Sequence, residues 1–130
     1  MEEIYNLELE ESTLKSMMEI FPGIKDLTNE EVREKIIILQ KIGCTDNQIK
    51  NIIGSNAMYL DRLNTDIIKL INYLTSKGFS TLNILFDSNP YILNLDSFEI
   101  ENYINERLKN EQLEDIVDEL EANTELFNEM

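Results

Sequence analysis

Four apolar or turn positions in one stretch, Leu14, Met17, Met18 and Pro22, reappear 35 residues later as Ile49, Ile52, Ile53 and Ala57. They appear a third time, after a further 33 residues, as Leu82, Leu85, Phe86 and Pro90. A second register agrees with the first: Val32, Ile36, Leu39 and Gly43 map by 35 onto Ile67, Ile71, Leu74 and Gly78. The spacing inside each copy places its apolar residues on one helical face. A period of this length with two helices per unit constrains the fold severely. No unit can bury its apolar face alone, so the units must stack on one another in chain order. The competing reading is an ordinary helical bundle whose helices share only a generic pattern.

The punctuation of the chain fits the repeat. Gly43 and Gly78 read as left-handed stops of the longer helices. Thr28 with Glu31 and Thr45 with Gln48 have the spacing of capping boxes, and Asp96 with Glu99 repeats it. Asn64-Thr65 is expected to open the second long helix, Ser80 to begin its short partner, and Gly54 to close the short helix of the middle copy. Ser55-Asn56-Ala57 and Ser88-Asn89-Pro90 lead into short runs ending at Leu60 and Leu93. Pro22-Gly23 closes the first amphipathic helix, which begins at Ser12.

These signals predict an all-α, solenoid-like single domain over residues 1–130. Residues 12–108 hold about three helix-pair units of 33–35 residues. Residues 1–11 read as a terminal arm, with a weak alternation of Ile4, Leu7 and Leu9 among acids. Past Lys109-Asn110 the phase breaks. Residues 111–130 then read as an acidic C-terminal helix, about Glu111 to Phe127, with Leu113, Ile116, Val117, Leu120 and Phe127 on one face.

The order of long helix, Gly, short helix and Ser-Asn-Pro-x-x-Leu resembles the repeats of the mitochondrial transcription termination factor family, over about residues 12–108. The best-matched positions are Gly78, Phe79, Ser80, Pro90 and Leu93, with Gly43, Thr45 and Leu60 in the preceding copy. The resemblance implies units of two helices and a short 3-10 turn stacked into a curved solenoid. It also implies a nucleic-acid-binding module that works through a basic concave groove. The middle of this chain offers only Lys35, Lys41, Lys50, Arg62, Lys69 and Lys77 for such a groove.

Charge argues for a different partner. The formal net charge of −15 divides into −7 over residues 1–34, +2 over 35–95 and −10 over 96–130. Direct binding to a polyanion, which needs clustered Lys and Arg, is disfavoured. There is no His and only one Cys, Cys44, so neither an internal disulfide nor imidazole acid-base chemistry is open to the chain. Cys44, next to a helix-stopping Gly, reads as a small buried apolar residue. No phosphate-binding Gly loop or calcium-loop spacing occurs, and no run reaches the ~18 apolar residues of a membrane span. The expectation is a cytoplasmic protein without enzymatic activity, metal or cofactor.

The acidic end carries the functional candidates: Glu111, Glu114, Asp115, Asp118, Glu119, Glu121 and Glu125. Their density corresponds to one charge per ~3 Å of helix axis, close to the ~3.4 Å per charge of one DNA strand. Such a face could occupy a basic nucleic-acid channel, or serve only as a solvated face that keeps the chain soluble. Tyr59, Tyr91, Tyr73 and Tyr103 lie at repeat edges, where tyrosine serves either packing between units or an interface. The leading expectation is an acidic protein-binding module that mimics nucleic acid. Its target would be a basic nucleic-acid-binding protein, as for a phage-encoded anti-nuclease (anti-CRISPR-like) factor. The alternatives are a nucleic-acid-binding module of the resembled family, or a structural scaffold.

Overall fold

The computed structural model describes residues 1–130, and every regular element in it is helical, so the chain is all-α. The elements fall into four successive triplets, each of two α-helices and a 3-10 turn. The first is α1 (Glu2–Tyr5), α2 (Glu11–Ile20) and η1 (Pro22–Asp26). The second is α3 (Asn29–Lys41), α4 (Asp46–Ser55) and η2 (Ala57–Asp61). The third is α5 (Asn64–Ser76), α6 (Leu82–Ser88) and η3 (Pro90–Asn94), and the fourth is α7 (Ser97–Arg107), α8 (Leu113–Ala122) and η4 (Thr124–Glu129).

One backbone joint recurs between the second helix and the 3-10 turn. Phe21, Asn56, Asn89 and Asn123 occupy it, with φ between −131° and −146° and ψ between 74° and 85°. Packing follows chain order: α1 lies on α3, α2 on α4, α4 on α6, α5 on α7, and the 3-10 turns η2, η3 and η4 touch in sequence. A single apolar cluster runs through all four triplets, from Ile4 to Phe127. Its members include the repeat positions Met17, Ile49, Ile52, Ile53, Leu82, Leu85 and Phe86.

Local signals explain most helix ends. Two of the three expected capping boxes form, at α3 and α4: the Glu31 N–H donates to Thr28 Oγ1 at 3.1 Å, and the Gln48 N–H to Thr45 Oγ1 at 3.2 Å. Gly43 and Gly78 follow α3 and α5 with φ of 96° and 101°, a conformation that side chains resist.

Three expected ends differ. Asp96 precedes α7 without capping it, because its carboxylate takes the Arg62 guanidinium at 3.1 Å instead. Ser80 lies two residues before α6, which starts at Leu82 after Thr81, whereas α5 opens at Asn64 as expected, with the Asn64 side chain held by Lys35 and Glu34. Gly54 lies inside α4, where a β-carbon would stand 3.0 Å from Thr13 Cγ2; it lets α2 approach and does not end the helix.

Two larger expectations are corrected. Residues 1–11 are not simply an arm: α1 is a helical turn packed on α3, with Ile4 fully buried. It corresponds to the last turn of a long helix, and Glu8, 35 residues before Gly43, sits at the left-handed stop with φ 56°. Without a Gly there, the pattern was hidden. The acidic segment is not one helix from Glu111 to Phe127. It breaks at Asn123 into α8 and η4, so the repeat continues through a fourth triplet that, like the second, lacks the Pro of the first and third. Phe127 is buried from η4, at the place that Leu93 holds in η3.

A left-handed backbone costs an L-residue about 1–2 kcal/mol, and Gly pays back part of that through its freer unfolded state. Glu8→Gly is therefore expected to stabilise the chain by about 0.5–1 kcal/mol in urea denaturation. An unchanged or lowered midpoint would show that the Glu8 stop is not strained.

Asparagine side chains tie one triplet to the next. Asn56 Nδ2 donates to the Pro90 carbonyl and to Asn94 Oδ1, both at 3.0 Å, and Asn94 Nδ2 returns a bond to Asn56 Oδ1 at 3.0 Å. One period on, Asn89 Nδ2 donates to the Thr124 carbonyl at 2.9 Å and to Asn128 Oδ1 at 3.0 Å. A joint residue thus reads the following 3-10 turn twice along the chain, satisfying a carbonyl that a short turn leaves open.

Candidate protein-interaction face

The amphipathic pattern of α8 decides which way its acids point. Ile116, Val117 and Leu120 are buried, with Leu113 partly covered beside them. At 100° per residue, Glu114, Asp118 and Glu121 then fall within about 60° of one another on the adjacent flank, spread along about 10 Å of axis. All three are exposed, as are Asp115 and Glu119 further round the helix. Glu111 precedes α8 and Glu125 lies in η4, so the seven candidates span a helix, its lead-in and the following turn.

The structure divides these seven into two groups. Arg107, at the end of α7, holds Glu111 through Nε and Nη2 at 2.7 and 2.6 Å and Glu119 through Nη2 at 2.6 Å. Its Nη1 donates to the Tyr103 hydroxyl at 2.8 Å, and the guanidinium stands over the Tyr103 ring. The hydrogen bond from Arg107 pulls the Glu111 carboxyl below its ordinary range, while donating to Glu111 and Glu119 pushes the guanidinium up. Glu119 therefore fastens α8 to α7, and Glu111 fastens the segment that leads into it. The other group, Glu114, Asp115, Asp118, Glu121 and Glu125, makes no ion pair or side-chain hydrogen bond within the chain. The i, i+4 spacing of Arg107 and Glu111 is a local signal for one of these pairs, whereas the Glu119 pair spans twelve residues and has none.

Two of the central bases are committed to internal bonds. Of the six in the middle of the chain, Lys35 is buried and donates to Asn64 Oδ1 at 2.6 Å, and desolvation lowers its pKa. Arg62 bridges to Asp96 and to the Leu95 carbonyl. Lys77 lies over the Tyr73 ring, and Lys50 borders a groove shared with Glu8 and Asp46. Lys41 and Lys69 are exposed and make no ion pair.

The remaining singled-out side chains are structural in their surroundings. Burial pushes the half-buried Cys44 thiol up to about 11, which keeps it protonated and a poor nucleophile near neutrality. Tyr59 is fully buried with its hydroxyl donating to the Lys35 carbonyl at 2.7 Å, whereas Tyr91 is more than half exposed on η3. No group of three or more His, Cys, Asp or Glu side chains is arranged to hold a metal ion. No helix is long and apolar enough to cross a membrane.

No protein-family model matches the chain, and no curated protein matches it. The functional argument therefore rests on the geometry of the acidic face and on the repeat that presents it.

Proposed function

We propose that the chain is a non-enzymatic protein-binding module, built as a solenoid of the kind the transcription-termination-factor repeats form, which engages a basic, nucleic-acid-handling protein. The contact face is α8 with η4, and it acts as a nucleic-acid mimic that occupies the target's phosphate-binding channel. One observation carries this reading. Five exposed carboxylates on that face lack internal partners, although Arg107 is close enough to neutralise two others beside them. Unpaired like charges on adjacent turns destabilise a helix by a few tenths of a kcal/mol per pair, a cost a basic partner would reverse. Complementary charge also speeds encounter and makes the complex sensitive to salt. An anti-nuclease factor of the anti-CRISPR type fits this size, charge and lack of catalytic groups.

Reversal of Glu114, Asp118, Glu121 and Glu125 to Lys tests the reading. It is expected to abolish partner binding at low salt while leaving the helical circular dichroism signal unchanged, because none of the four is buried or bonded. Intact binding at both low and high salt would contradict it. The second reading, direct nucleic-acid binding by the triplet repeat, draws on the resemblance of Gly78, Phe79, Ser80, Pro90 and Leu93 to that family. A gel shift with DNA and RNA that shows no salt-sensitive complex would eliminate this second reading.

A further inference from the structure

The inner triplets show what each end of the stack is shaped to meet. Between the second and third triplets, the α4 side supplies Gln48 and Asn51, eight and five residues before the joint Asn56. The α6 side supplies Asn83 and Asp87, six and two residues before the joint Asn89. Asn83 Nδ2 donates to Gln48 Oε1 at 3.4 Å, and Asn51 Nδ2 to the Asp87 carbonyl and Oδ1 at 3.0 and 2.8 Å. With the bonds from Asn56 to the Pro90 carbonyl and to Asn94, these define one inter-triplet interface.

Half of that interface stands open at each end. At the C-terminal end, Asp115, Asp118 and the joint Asn123 occupy the places of Gln48, Asn51 and Asn56, and all three are exposed. Asn123 has the backbone angles of Asn56 and Asn89, and its side-chain amide makes no bond within the chain. At the N-terminal end, Lys15, Glu19, Pro22 and Asp26 occupy the places of Asn83, Asp87, Pro90 and Asn94, and they too are exposed.

We propose that the C-terminal end of one copy stacks on the N-terminal end of a second copy, reproducing the inner interface, and that charge gates the contact. Three of the four substituted pairings are favourable. Asn123 Nδ2 meets the Pro22 carbonyl and the Asp26 carboxylate, and Asp115 meets Lys15. The fourth, Asp118 against Glu19, is repulsive, and the acidic ends add a longer-range repulsion that salt screens. The contact is heterologous, so it propagates as a chain of copies and does not close as a symmetric dimer. The contact needs no foreign partner, but it shares Asp115 and Asp118 with the face proposed above, so a second copy and a basic partner would compete for them.

Sedimentation velocity tests it. At about 0.01 M salt, where the screening length is about 30 Å, the native chain is expected to be monomeric; at about 1 M it should show concentration-dependent dimers and larger species. Asp118→Asn, which restores the Asn51–Asp87 type of pairing opposite Glu19, should shift association to at least about tenfold lower protein concentration. Adding Asn123→Ala to Asp118→Asn should reverse that gain, and Lys15→Glu should weaken association as well. The proposal is overturned if Asp118→Asn stays monomeric at 1 M salt. It is equally overturned if association occurs but ignores both Asn123→Ala and Lys15→Glu, since it then proceeds through another surface. Unchanged circular dichroism spectra confirm that each exposed-site variant is folded.

Discussion

Phe127→Ala is expected to lower the unfolding free energy by about 3–5 kcal/mol, the range for truncating a fully buried aromatic side chain. Phe127 is completely inaccessible, and its ring centroid lies 6.3 Å from that of Phe79, tilted by 54°. The loss therefore combines a cavity with a broken aromatic pair, itself worth about 0.5–1.5 kcal/mol. Set against the 5–15 kcal/mol that typically separates folded from unfolded chains, it threatens the whole fold. Because η4 follows α8 directly, the damage should concentrate there: amides of α8 should lose hydrogen-exchange protection before those of α4. Urea denaturation measures the first effect, with Glu129→Ala, exposed in the same turn, as a control expected to stay within about 0.5 kcal/mol. A loss below about 1 kcal/mol for Phe127→Ala would mean that η4 is not part of the core.

The second large effect is expected at Asn56, the only nearly inaccessible polar joint. Asn56→Ala removes two donated bonds and one accepted bond, and leaves the Pro90 carbonyl and the Asn94 amide without those partners. Each lost bond is worth about 0.5–1.5 kcal/mol net, and a buried group left unpaired costs about 1–3 kcal/mol, so a total near 2–4 kcal/mol follows. The double variant Asn56→Ala/Asn94→Ala should cost clearly less than the two single variants added together, since it removes the orphaned amide along with its former partner. Strict additivity would show that the two side chains do not form the reciprocal pair that ties η2 to η3.

These two residues also mark where sequence reasoning reached and where it stopped. The period was readable because apolar spacing and Gly stops are local signals: Gly43, Gly78 and both capping boxes act within a few residues of themselves. Asn56 and Asn89 were visible only as parts of a recurring Ser-Asn pair. Their role depends on partners 34 to 39 residues away, which no local pattern reveals. The end triplets were misread because each had lost its punctuation. Glu8 holds a backbone position that Gly holds elsewhere, and Thr124 stands where Pro22 and Pro90 stand. With no Pro to break the pattern, α8 and η4 looked like one continuous helix, and Phe127 happened to fall on its apolar face.

The candidate site was legible in composition but not in detail. The acid count singled out a segment whose acidic side chains are exposed, and Ile116, Val117 and Leu120 fix which side of α8 is covered. Sequence alone did not show that Arg107 takes Glu111 and Glu119 out of the unpaired set. Nor did it show that Lys35 and Arg62 are committed to internal bonds. Apart from the local Arg107–Glu111 pair, these are side-chain pairings between residues 12 to 34 positions apart.

Affinity capture from the native host, followed by mass spectrometry, bears most directly on the proposed function when the native chain is compared with the Glu114, Asp118, Glu121 and Glu125 to Lys variant. The account predicts that the native chain retains a basic, nucleic-acid-handling protein, that duplex DNA or high salt releases it, and that the variant does not retain it. Retention of the same proteins by both chains, or of a protein that neither DNA nor salt displaces, would contradict the account.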